Sequence, residues 1–153
     1  MELTELAEQY RAATVKGAWY GPALAEMLEK ISPAMAMKAP VAEANSIAAL
    51  LQHILLWNER ARNTSENNPL PNWEAERDWA EPELPWAELL PRWNNSRNLL
   101  EEHIRYFPVE QLAKQVPGRN YSYEKLLTGI VQHTIYHAGQ IAMIMGTLSR
   151  TPK

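Results

Sequence analysis

The chain has no cysteine among its 153 residues. A disulfide framework, a thiolate metal site and a cysteine nucleophile are all excluded, and any thiol chemistry has to use a thiol brought by a ligand. A basic stripe is missing too. The 15 Lys and Arg residues are mixed with 18 Asp and Glu to a formal charge of -3, which argues against a nucleic acid as partner. No run approaches the ~20 apolar residues that span a bilayer. The amino terminus, MELTELAEQYRAA, begins with acids and alternates polar with apolar residues, unlike a secretory signal. The expectation is a soluble cytoplasmic protein with no membrane or nucleic-acid partner. Strand signals are weak, and no internal repeat, low-complexity tract, glycine-rich phosphate loop, nucleophilic serine arrangement or convincing general base is visible.

What is present is helical periodicity, with apolar residues recurring at three and four. The length fits a single domain, residues 1–153. A first segment from about Leu3 to Ile31 has Leu6, Tyr10, Ala13, Leu24, Met27, Leu28 and Ile31 as core candidates. Gly17, Gly21 and Pro22 predict a kink or break near Tyr20. SPAMAMKAP reads as a connector. A second helix starts near Asn45 or Ser46, carries Ile47, Leu50, Leu51, Ile54, Trp57, Asn58 and Ala61 inward, and fades near Asn63.

Residues 63–85 hold prolines and no sustained period. This stretch could reach ~70 Å if extended, enough to return along a bundle and leave the second and third helices parallel. Trp73 and Trp79 could pack back over the bundle. The third helix, with Trp93, Leu100, Ile104 and Phe107, is expected to start regularly at Pro91, with residues 86–90 forming a preceding turn, and to close at Pro108. A second connector leads to a fourth helix capped by Ser122. This helix runs from Tyr123 to about Leu148, with Leu126, Leu127, Ile130, Val131, Ile141, Ile144 and Met145 as its apolar face. Four helices and one long crossover predict an all-α four-helix bundle.

The chemistry lies in the histidines, of which there are four. In QHTIYHAGQI, His133 and His137 are four apart, so on a helix they lie one turn apart on one face. That face continues through Ile130, Ile141 and Ile144 toward the interior. A satisfied pair of core histidines is the ordinary explanation of this spacing. His53, mid-helix on another apolar stripe, changes the balance, because bundle metal sites are built from inward side chains on facing helices. Three neutral nitrogen ligands suit zinc or nickel and leave a coordination position open. Gln140 returns to the same face and could orient a ligating histidine or bind a ligand; an ordinary surface amide is the alternative. Trp57, four after His53, either walls the same pocket or packs in the core. His103 reads as a boundary histidine, and Glu59 and Arg60 as solvated. No catalytic residue is assigned.

QHTIYHAGQI, together with SIAALLQHILLW, resembles the DinB/YfiT-like superfamily, in which the fourth helix carries H-x-x-x-H followed by Gly-Gln and the second helix supplies a third histidine. In this chain those positions are His53, His133, His137, Gly139 and Gln140. Many members have a histidine where Tyr136 stands. Position 136 is off the face of the other two, so the ligand set survives, and Tyr136 is expected to pack against a neighbouring helix or a second subunit.

The resemblance implies a metal-binding bundle, often a homodimer, acting on a small-molecule substrate. Relatives are thiol-dependent transferases or isomerases using a low-molecular-weight thiol, and metal-dependent hydrolases. The alternative is a non-catalytic metal-binding or stress-associated protein. A hydrolase needs a proton acceptor, for which Glu74, Glu76 and Asp78 are within possible reach. Trp19, Tyr20 and Tyr136 are spare aromatics that a second subunit could cover.

Overall fold

Periodic burial produces the long helices. The computed structural model describes residues 2–65, 79, 82 and 84–150. Among them the α-helices are α1 (Leu3–Thr14), α2 (Leu24–Leu28), α3 (Pro33–Met37), α4 (Ile47–Ser65), α5 (Trp86–Arg105) and α6 (Tyr123–Arg150), with a 3-10 turn at Val109–Gln111 and no strand. In α4 the buried stripe includes Ile47, Leu50, Leu51, Ile54, Asn58 and Ala61. In α5 it is Trp86, Leu89, Trp93, Ser96, Arg97, Leu100, Glu101 and Ile104. Serines open three helices by accepting an orphan amide: Ser32 from Met35 at 3.2 Å, Ser46 from Ala49 at 3.1 Å and Ser122 from Lys125 at 3.3 Å.

Three boundaries differ from expectation, each for a local reason. The kink near Tyr20 is a wider break: α1 stops at Thr14 and helix resumes only at Leu24. Gly17 takes a φ of 95°, a left-handed conformation that suits glycine and ends helical propagation. The SPAMAMKAP connector contains α3, because Ser32 caps it and Pro33 sits in its first turn, where the missing amide costs nothing. The third bundle helix begins at Trp86 rather than at Pro91. Pro91 and Ala87 are exposed, so the Ala87 carbonyl deprived of its partner faces water, while Trp86, Leu89 and Trp93 keep the buried stripe continuous. The expectation for Trp73 and most of residues 63–85 lies outside the described residues.

The main packing pairs are α4 with α5 and α6, and α1 with the same two helices. Directions follow from contacts. Arg105 meets Glu8 at 2.7 Å and Arg11 meets Glu101 at 3.5 Å, so α1 and α5 are antiparallel. One apolar cluster joins Leu50, Leu51, Ile54 and Leu55 to Trp86, Leu89 and Trp93, together with Ile141 and Ile144. A second joins Ala61 to Leu100 and Ile104, together with Leu127, Ile130 and Val131. Thus α4 and α5 run parallel, α6 opposes both, and a long crossover links α4 to α5. Helix α1 contributes to the second cluster only, and α2 and α3 supply the corresponding residues of the first, so the broken first segment still covers both halves of the bundle.

Between α1 and α5 lies a buried polar contact. Tyr10 is fully buried, and Arg97 is within 3.7 Å of the Glu101 carboxylate and donates to Asn94 at 2.8 Å. Burial first of all raises the Tyr10 hydroxyl pKa, so it stays neutral. Among the described residues no helix is long and apolar enough to cross a membrane.

The neighbouring leucines of α5 test this assignment. Leu100 is fully buried and Leu99 is 39% exposed. Leu100→Ala is expected to lower unfolding free energy by ~2–5 kcal/mol in a urea titration, and Leu99→Ala by much less. Equal losses would mean that the α5 stripe is misassigned.

Candidate metal centre

Midway along the bundle, two facing helices bring imidazoles together. His53 comes from α4, and His133 and His137 come from successive turns of α6. The Nε2 of His133 lies 3.0 Å from the Nε2 of His53 and 3.1 Å from that of His137. His53 and His137 are buried and His133 is half-buried. Their ligand atoms form a group that could hold a metal ion, and no carboxylate takes part in it among the described residues. These two spacings are close to what an ion requires, since nitrogens ~2.0–2.1 Å from a tetrahedral ion stand a little over ~3 Å from each other, and all three ligand atoms lie within 4.8 Å of one another.

The state of the nitrogens also fits. His137 Nδ1 lies 2.6 Å from Gln140 Oε1. A carbonyl oxygen only accepts, so Nδ1 carries the proton and Nε2 of the neutral ring turns a bare lone pair toward the group. Burial above all lowers the His133 pKa from 6.5 to about 3, with smaller contributions from His137 and His53. Burial lowers His137 as well, opposed by its bond to Gln140. With His133 and His137 held neutral, the two imidazoles and that of His53 form a donor set for a divalent cation.

Tryptophans surround the group. Trp79 stacks on His53, with ring centres 4.0 Å apart and planes 8° from parallel, and lies edge-on to His137 at 5.6 Å. Trp57 lies 5.0 Å from His133 and 6.1 Å from His53. On that side a cavity of about 280 Å³ abuts both Trp57 and His133.

The other candidates fall as follows. His103 is on α5, away from the group, edge-on to Phe107 at 5.6 Å. Glu59, expected to be solvated, pairs with Arg92 at 3.3 Å. Arg60 lies over the Trp57 ring at 5.7 Å. Tyr136 does not pack against a neighbouring helix. It is 65% exposed, and its hydroxyl accepts from Gln140 Nε2 at 3.4 Å. Glu74, Glu76 and Asp78 lie outside the described residues. Trp79 packs back over the bundle as expected from the sequence; that it lands on His53 was not readable, since nothing in an aperiodic loop marks its target. Sequence reasoning missed the cavity, although Lys125, Gly129 and His133 recur at four along α6.

The fold and this group define a four-helix bundle with a three-histidine cluster, shared between two facing helices, that could hold a divalent metal. The chain belongs to the DinB superfamily, whose family model matches residues 21–141. Among solved structures it is similar to that of a conserved protein from Enterococcus faecalis, with a TM-score of 0.68 and 16% identity over 97% of this chain and 96% of that one. That likeness is one of fold. No curated protein matches.

Two outcomes check this geometry. In metal-free protein His133 is neutral down to about pH 3, whereas the unfolded chain takes up that proton near 6.5. Between these values the unfolded state holds more protons, so stability is expected to decline as pH falls below ~6.5. His133→Phe should flatten that decline in urea unfolding measured across pH, and an unchanged slope would assign it to other groups. Gln140→Leu removes the acceptor at Nδ1 of His137 and is expected to weaken zinc binding roughly 10–100-fold in competition with a chromogenic chelator.

Proposed function

We propose that the chain is a metal-dependent enzyme whose three histidines, His53, His133 and His137, hold one divalent ion, zinc or nickel, and that it transfers a low-molecular-weight thiol to a small electrophile. The observation that carries this reading is the convergence of three Nε2 atoms on one buried point. When bound, such an ion supplies Lewis acidity that lowers the pKa of a thiol or water beside it. The protein's own part is to keep His133 and His137 neutral by burial, to fix the His137 tautomer through Gln140, and to flank the group with the indoles of Trp57 and Trp79. Trp57 and Gln140 are also the candidates for contact with the cofactor.

The thiol gives its proton to solvent water and bonds through sulfur to the electrophilic carbon, and the leaving group departs with its electron pair. Water could be activated at the same place, but a thiol starts far more acidic and is the stronger nucleophile, so it asks less of the site. A soft sulfur donor also suits zinc. The absence of cysteine from the chain keeps the protein from competing with its own cosubstrate.

About one ion per chain is expected by mass spectrometry of untagged protein, and both His53→Ala and His133→Ala should lose it. Metal-free wild type that resists loading sinks the proposal. The loaded protein should conjugate an electrophile such as monobromobimane to one or more small thiols above the uncatalysed rate, and chelation should abolish this. Ester hydrolysis that follows the metal without any thiol would replace transfer by hydrolysis. A large loss of melting temperature on chelation, with no turnover across several thiols, would replace it by a structural metal role.

We also propose self-association. Trp19, Tyr20 and Tyr136 are 93%, 51% and 65% exposed, leaving aromatic area that a second copy would cover. A monomer in light scattering at high concentration rejects this.

A further inference from the structure

The cavity beside the histidines has an architecture of its own. On α6, Lys125, Gly129 and His133 follow each other at four, so they form a line over two helical turns, ~12 Å long. All three line the cavity, with Leu126 and Ile130 beside them and Trp57 of α4 contributing to the wall. Gly129 creates the space: nothing lies within 4 Å of where its Cβ would stand, so a stretch of bare backbone leaves room between the apolar side chains.

The two ends of the line differ in chemistry. Lys125 is exposed and, among the described residues, is the one Lys or Arg in the lining. At the other end, His133 contributes Nε2 to the histidine group, while its Nδ1 is buried without a hydrogen-bond partner among the described residues. With Nε2 given to an ion the proton sits on Nδ1, and a ligating histidine ordinarily gives that N–H to an acceptor. His137 has Gln140 for this purpose, whereas no described side chain bonds His133 Nδ1.

We propose that this cavity is the substrate pocket and that it selects small, elongated apolar molecules ending in a carboxylate. The carboxylate pairs with Lys125, the apolar body lies over Gly129 between Trp57, Leu126 and Ile130, and the reacting end reaches His133, where a polar atom of the substrate accepts from Nδ1. A single lysine, with no arginine fork among the described lining residues, matches a singly charged carboxylate better than a phosphate. A volume of 280 Å³ is at the small end of ligand pockets, which sets the size. The position of the reacting end rests on the function proposed above; binding in the pocket does not.

Calorimetric titration of the full-length, zinc-loaded protein with 4-phenylbutyrate and with its uncharged amide tests the assignment. The acid is expected to bind about fivefold more tightly than the amide, the scale of one exposed ion pair. Lys125→Glu should abolish or reverse that preference, because a carboxylate there repels the acid. Gly129→Leu, which fills the groove, should weaken both ligands at least about tenfold. Binding that survives Gly129→Leu in folded protein, or equal affinity for acid and amide in the wild type, overturns the proposal. If Gly129→Leu does not fold, Gly129→Ala and the Lys125→Glu comparison decide. Ligand selectivity without zinc uptake at the histidines would refute the metal reading alone, and zinc uptake without selectivity would refute the pocket alone.

Discussion

The site depends on the register between α4 and α6. His53 can meet His133 and His137 only if the first half of α4 stands level with the middle of the antiparallel α6, and a slip of one turn, ~5.4 Å, would separate them. Apolar packing on either side prevents that slip. The cluster built on Leu50, Leu51, Ile54, Ile141 and Ile144 locks one half, and the cluster built on Ala61, Leu127, Ile130 and Val131 locks the other. Close packing turns such clusters into discrete fits rather than sliding surfaces. The imidazoles therefore come together because hydrophobic side chains above and below them pack in one way only, and no attraction between the rings is needed.

Without an ion the rings satisfy each other only in part. His133 Nε2 lies at hydrogen-bond distance from the Nε2 of both His53 and His137, and as a neutral ring it has one proton to share between them. The depressed His133 pKa shows how poorly the place accepts a further proton. A divalent ion would instead use all three lone pairs at once. The indoles of Trp57 and Trp79 sharpen this contrast, since they exclude water and so lower the dielectric in which an uncompensated or compensated charge is felt.

The sequence shows most of this frame because its signals are local. Stripes at three and four in α4, α5 and α6 state which face is buried, and a histidine on such a stripe inherits its inward direction. That sufficed for His53, His133 and His137. Boundaries were less legible where a residue's cost depends on its surroundings: Pro91 disrupts a helix only if the carbonyl it strips is buried, and Pro33 starts one only because Ser32 caps it. The cavity was hidden for another reason. Its walls come from α4, from Tyr121 ahead of α6 and from α6 itself, and Gly129 matters through space that it does not fill. The pairing of Gln140 with both His137 and Tyr136 was half visible, since a face was readable but not the two-armed bond of one amide.

Trp79 gives the long crossover a second role. Its ring lies flat on His53, so one residue of the connection between α4 and α5 is also part of the wall around the histidines. By reciprocity, to whatever extent the stacking of this indole alters what His53 can hold, anything held there alters the stacking by the same factor. Trp79 therefore belongs to the histidine group as much as to the connection it stands in.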